Sequence, residues 1–149
     1  MKRESKFNTQ ICTTKEQSKR LLELGLDADT SDMCWLAKKL WGDDVEIPEE
    51  DRSYILSTDK DDSFCSRYDV DCVPAWSLHR LIAMLPDFFS NLGRQFNLKM
   101  DKCFLRYCTA RNDEYIYFQQ KDTLYDNIID CIEWLIKENK FNKEYLKEE

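Results

Sequence analysis

The sequence predicts an α+β fold, a small antiparallel three-stranded meander packed by amphipathic helices. Three observations predict it. Apolar residues recur at helical spacing in two stretches, near residues 78–85 and 124–136. Between them, residues 96–120 alternate and are rich in strand formers. The turns separating those strands are too short for the crossovers that parallel pairing needs.

The first helix is expected at about residues 14–24. Thr13-Thr14-Lys15-Glu16 reads as a capping box, Leu21, Leu22 and Leu24 supply the apolar side, and Gly25 is a natural residue to follow the C-cap. Asp27 to Asp32 is turn chemistry. Met33 to Leu36 is an apolar run too short to assign by period. Trp41 to Asp44 reads as a turn and Ser53 to Thr58 as a short strand, while Asp59 to Asp71 is polar and shows no period.

The stretch Val73 to Pro86 carries the clearest helix. Ser77 is a good N-cap, and Trp76 and Leu81 occupy the two positions of a hydrophobic staple. Leu78, Leu81, Ile82 and Leu85 form one stripe, Arg80 points away from it and His79 lies on its flank. Pro86 ends the helix by disfavouring helical geometry at Leu85. One more helical turn is expected from Asp87 to Leu92, ended by Gly93. Phe96 to Met100, Cys103 to Thr109 and Glu114 to Gln120 are the three strands.

Thr123 caps the last helix, with Asp126 three residues on. Leu124, Ile128, Cys131, Ile132 and Leu135 form its main stripe, and Tyr125, Ile129, Trp134 and Ile136 widen the apolar arc past half the circumference. So wide an arc leads to the expectation of a homodimer, with Tyr125 and Trp134 at the interface. The Lys- and Glu-rich tail from Asn139 is expected to fray.

At 149 residues, with only three Gly and three Pro, the chain is expected to form a single domain over 1–149. It carries an acidic, loop-rich excursion at about 43–72. The net charge is −7, and Asp27 to Asp71 alone holds 14 acidic against 5 basic residues. Long-range repulsion from such a chain disfavours phosphate backbones, so no direct DNA binding is expected, although a local basic pocket remains open. The first ten residues hold no apolar run and no segment is long and apolar enough for a membrane span, so the chain is expected to be cytoplasmic, away from membranes. Its seven scattered cysteines are then expected to be reduced.

No catalytic constellation emerges from the residues. The nearest cysteine pairs, Cys103/Cys108 and Cys65/Cys72, lack metal-ligand spacing, and buried small hydrophobes are the plainer reading. His79 is the single histidine. Asp59 to Ser63 begins like a calcium loop, but Phe64 and Val70 hold the places of its glycine and its bidentate glutamate. Asp69-Val70-Asp71 resembles a metal-binding D-x-D, although a solvated loop is the better reading. No cofactor and no metal are expected. The candidate ligand-binding residues fall in two groups. Trp76, His79 and Arg80 suit a small anion pocket at a helix N-terminus. Arg106, Tyr107, Arg111, Tyr115 and Tyr117, with Lys121 nearby, mix basic and aromatic side chains that can stack on and neutralise a nucleotide. An ordinary sheet with one core face and one wet face would also produce that mixture.

The segment Asn8 to Gln17 with Leu21 to Leu26, then Val73 to Pro86, then the aromatic hairpin and closing helix, resembles a family of small proteins without assigned activity. These are carried by phages and integrated mobile elements of gut anaerobic bacteria. The resemblance covers most of the chain outside the acidic middle and transfers no site residue. It implies an accessory protein in a bacterial host, of the kind that interferes with host defence. The expectation is therefore a non-enzymatic binder that sequesters a nucleotide-like ligand or blocks a host protein. The alternatives are a small metal-dependent hydrolase acting on a nucleotide through carboxylates of Asp59 to Asp71, or a phage structural or assembly factor.

Overall fold

The computed structural model describes residues 10–41, 45–58, 70–111 and 114–148. Most of Asp59 to Asp71, with Cys65, the calcium-like loop and Asp69, lies outside the described residues, as do residues 42–44 of the expected turn. The fold is α+β, with all strand pairs antiparallel.

Helix α1 (Lys15–Glu23) opens one residue later than the sequence suggests. Thr14 is the N-cap, and its hydroxyl accepts from the Gln17 N–H while the Gln17 side chain accepts from the Thr14 N–H. Thr13 is drawn into the core instead, where its hydroxyl pairs with that of Ser18 at 2.7 Å. The helix ends as expected at Gly25 (φ 105°), which with Leu26 donates back to Leu22 and Leu21 in a Schellman closure.

The unassigned apolar run becomes β1 (Met33–Lys38), the central strand of a three-stranded sheet. Its neighbours are β4 (Ile55–Ser57) and β5 (Val70–Ala75). Strand β5 takes the end of the segment expected to lack structure. It tolerates Pro74 because it lies at the sheet edge. A short hairpin of β2 (Leu40–Trp41) and β3 (Val45–Glu46) extends from β1.

Helix α2 (Leu78–Met84) has the predicted cap at Ser77 and stop at Leu85, whose backbone is extended (ψ 135°). Trp76 is fully buried and ties the two ends of the chain's first half together. Its backbone exchanges hydrogen bonds with Thr13, and its indole N–H donates to the Thr30 hydroxyl at 2.9 Å.

The expected helical turn after Pro86 is instead β6 (Phe88–Asn91). Leu92 (φ 51°) and Gly93 (φ 78°) form a two-residue turn with both residues left-handed, the pattern of a type I′ hairpin. The meander therefore has four strands, β6, β7 (Arg94–Met100), β8 (Phe104–Cys108) and β9 (Tyr115–Gln120), in that spatial order. Helix α3 (Leu124–Lys137) lies across β8 and β9, and α1 and α2 pack against α3.

The tail does not fray. Lys140 and Asn139 (φ 56°) close α3 in a second Schellman motif, Phe141 is buried, and Leu146 bridges to Leu26. The resulting core joins Leu21, Trp76, Leu81, Leu105, Tyr107 and the buried face of α3 in one cluster.

Candidate functional site: the outer face of the four-stranded sheet

The two groups of candidate residues are not brought together. Around Trp76, among the described residues, the helix N-terminus is already taken. The Asp32 carboxylate already occupies the α2 N-terminus, accepting from the Ser77 N–H at 2.8 Å and its hydroxyl at 2.5 Å. Arg80 turns back to donate to the Thr30 carbonyl at 2.7 Å, and His79 is exposed.

The second group divides by strand parity, since successive side chains point to opposite faces. Tyr107 and Tyr117 are paired across β8 and β9 and point inward. Tyr107 is fully buried, with its hydroxyl donating to the Pro86 carbonyl at 2.8 Å. Trp134 lies over Tyr117 with ring centroids 4.8 Å apart and also meets Tyr107 and Phe89. Burial, then the neighbouring Cys131, raises both phenols far above their ordinary range, so they remain protonated. Trp134, half-buried, thus packs between helix and sheet. Tyr125 is buried too, its hydroxyl donating to the Gln10 carbonyl at 3.3 Å. Most of the wide apolar arc of α3 is buried within the chain, with Leu124, Trp134 and Ile136 half-buried.

The opposite face holds Phe88, Lys99, Phe104, Arg106, Tyr115 and Phe118 among polar Ser90, Gln95, Asn97 and Gln120. Lys99 stands opposite Arg106, and Arg106 opposite Phe118, so one row across three strands reads cation, cation, ring. The Phe104 and Phe118 rings are 6.2 Å apart and nearly parallel, and Phe118 and Tyr115 are 5.6 Å apart. The Arg106 guanidinium lies 5.6 Å from the Phe104 ring, within cation–π range. A bulge between Tyr107 and Cys108 shifts the pairing so that Tyr115 falls in the outer row. Among the described residues of the four strands, no carboxylate points to this face. The acids at its two ends are held elsewhere: Asp101 accepts from the Cys103 N–H, which holds its carboxyl below the usual range, and Glu114 pairs with Arg94. Beside Tyr115 a cleft of about 470 Å³ opens between the Asn91–Arg94 turn and Glu114–Ile116. Arg111 is exposed in the β8–β9 turn.

Lys99, Phe104 and Phe118 were not singled out in the sequence. The i, i+2 spacing of Phe104 and Arg106 would have paired them. The face of Tyr115 could not be fixed, because the bulge that sets it leaves no local sequence mark.

Elsewhere the polar side chains are structural. Asp71, the described end of the D-x-D, accepts from Tyr54 and from Arg52. Arg20 of α1 bridges Asp130 and Glu133 of α3 at 2.5 and 2.8 Å. Burial, then Asp32, pushes the Cys12 thiol up to about 11. Among the described residues no group of three or more His, Cys, Asp or Glu side chains is arranged to hold a metal, and no helix is long and apolar enough to cross a membrane. Comparison with protein-family models, curated proteins and solved structures finds no match to this chain.

Proposed function

We propose that the protein is a binding protein that takes a nucleotide-like ligand on the outer face of its four-stranded sheet and acts by sequestering it. One observation carries this reading. In a chain of net charge −7, the outer face sets Lys99 and Arg106 beside the rings of Phe104, Phe118 and Tyr115. Rings offer stacking to a base, and the two cations offer charge to a phosphate. The role as an accessory of a phage or mobile element, active in a bacterial cytoplasm against host defence, rests on the sequence resemblance alone.

Calorimetric titration with AMP, ATP and short oligonucleotides tests the reading. Binding of at least one of them is expected, and Lys99→Gln with Arg106→Gln should abolish it. Phe118→Ala should weaken binding by about 1–3 kcal/mol, the worth of one base stack. If none of these compounds binds, or if binding ignores both cations, the reading fails.

A further inference from the structure

We infer that the outer edge of β9 docks a second copy of this chain. Two β9 strands pair antiparallel, centred on Phe118, and join two four-stranded sheets into one. The pairing does not depend on the ligand reading above.

The edges of the two sheets are guarded differently. A sheet edge presents unpaired N–H and C=O groups, and proteins blunt it with short strands, proline, lysine or a covering segment. In the three-stranded sheet, β4 is three residues long, and β5 carries Pro74 and ends beside the Cys12–Ser77 bridge. In the four-stranded sheet, β6 is four residues long, and the Lys140 ammonium donates to its Ser90 carbonyl at 3.1 Å. Strand β9 has none of these devices. Tyr115–Gln120 contains no charge, no proline and no glycine. Among the described residues, no hydrogen bond reaches its outer edge.

Hydrogen-bond parity decides which groups face outward. Antiparallel pairs alternate between bonded and non-bonded positions. The Asp101 N–H donates to the Phe104 carbonyl at 2.9 Å, so Phe104, Arg106 and Cys108 bond toward β7. Leu105 and Tyr107 then bond toward β9, where Gln119 and Tyr117 stand opposite them. Phe118 and Gln120 therefore turn their N–H and C=O groups to the open edge. The bulge falls at the Tyr115 end and leaves residues 117–120 regular. A two-fold axis sets one residue opposite its own copy. With Phe118 at the axis, its backbone exchanges both hydrogen bonds with its copy. The two rings, 42% exposed in one copy, meet as a cross-strand aromatic pair.

Charge and layer spacing suit this occupant. Two copies of a chain with net charge −7 repel each other, so a stable contact needs a neutral meeting place. Strand β9 is uncharged, and the acids of α3 nearest to it are matched by bases. Asp130 is held by Arg20 and by Lys121, the residue that follows β9, and Glu133 by Arg20 and Lys137. Helix α3 lies across β8 and β9. In the joined sheet the two α3 helices are two strand spacings of about 4.8 Å apart, close to the helix packing distance of about 8–10 Å. The second copy thus covers the flank of α3 as well as the edge.

Sedimentation velocity of the full chain from about 1 μM to 1 mM tests the pairing. The mass should rise with concentration from one chain, 17.9 kDa, to two. Phe118→Lys and Phe118→Glu each set like charges directly opposite, and each should weaken self-association by about tenfold or more. An equimolar mixture of the two variants should restore it, because each then faces the opposite charge. Gln120→Pro removes one outward N–H, spares the bonds to β8, and should also weaken association. A chain that stays monomeric throughout overturns the pairing and leaves the edge to an extended segment of another protein. A dimer that survives both Phe118→Lys and Gln120→Pro forms through another surface and overturns it too. A mixture that stays monomeric while both Phe118 variants melt like the wild type also overturns it.

Discussion

Asn127 lies fully buried on α3, and neither atom of its side-chain amide has a hydrogen-bond partner among the described residues. A buried polar group left unsatisfied costs about 1–3 kcal/mol. On the helix it falls between Cys131 and Trp134, whose own neighbours are the inward rings of Tyr107 and Tyr117. Leucine is of similar size and needs no partner. Asn127→Leu is therefore expected to stabilise the fold by about 1–3 kcal/mol, read as a higher denaturant midpoint at constant slope. A lower midpoint would show that the amide is satisfied in solution. The sequence pattern does not mark this residue, because the helical period places it at the margin of the stripe, where polar and apolar residues are equally at home.

The elements legible in the sequence are those with a local chemical start and stop. Ser77 and Pro86 bracket α2, Thr123 caps α3, and Gly25 closes α1; each signal acts within one helical turn. Strands β7, β8 and β9 were legible because alternation over five to seven residues is itself local. The elements that were not legible depend on distant partners. Strand β5 exists because β1 pairs with it through six positions, although Pro74 and the acidic run before it argue against a strand. Strand β6 was hidden by its turn. Type I′ turns favour Asn-Gly, and here Leu92 holds the first place with φ 51°, so Gly93 resembles a helix stop. A non-glycine residue in left-handed geometry costs about 1–2 kcal/mol, and Leu92 is 95% exposed, so burial returns little of that cost. Leu92→Asn should thus stabilise the hairpin by about 1 kcal/mol, seen as a rise of several degrees in melting temperature. A fall would mean that Leu92 makes a contact worth more than its backbone strain.

At the scale of the whole molecule, charge is the organising quantity. The chain is acidic, with 14 acidic against 5 basic residues between Asp27 and Asp71, while the outer face of the four-stranded sheet carries Lys99 and Arg106. Glu49, Glu50 and Asp51 form an exposed turn in that acidic middle, and among the described residues only Glu49 of the three makes an ion pair, with Lys19 at 3.1 Å. Both partners are more than half exposed, so the pair contributes at most about 1 kcal/mol. Reversing all three residues to Lys moves the net charge from −7 to −1 and should change stability little. Two ideas about the acidic stretch then give opposite results. If it is a docking surface for a basic host protein, the triple reversal removes that association. If it only repels an anionic ligand of the sheet face, the reversal strengthens binding of that ligand, an oligonucleotide included. The gain should be largest at 0.01 M salt, where charges act over about 30 Å, and vanish near 1 M, where they act over about 3 Å. The nucleotide-binding reading expects the second result, because repulsion between the acidic middle and the incoming phosphates is what the reversal relieves. Oligonucleotide affinity unchanged at low salt would place the acidic stretch outside the reach of the ligand. Loss of affinity at low salt would contradict an anionic ligand outright.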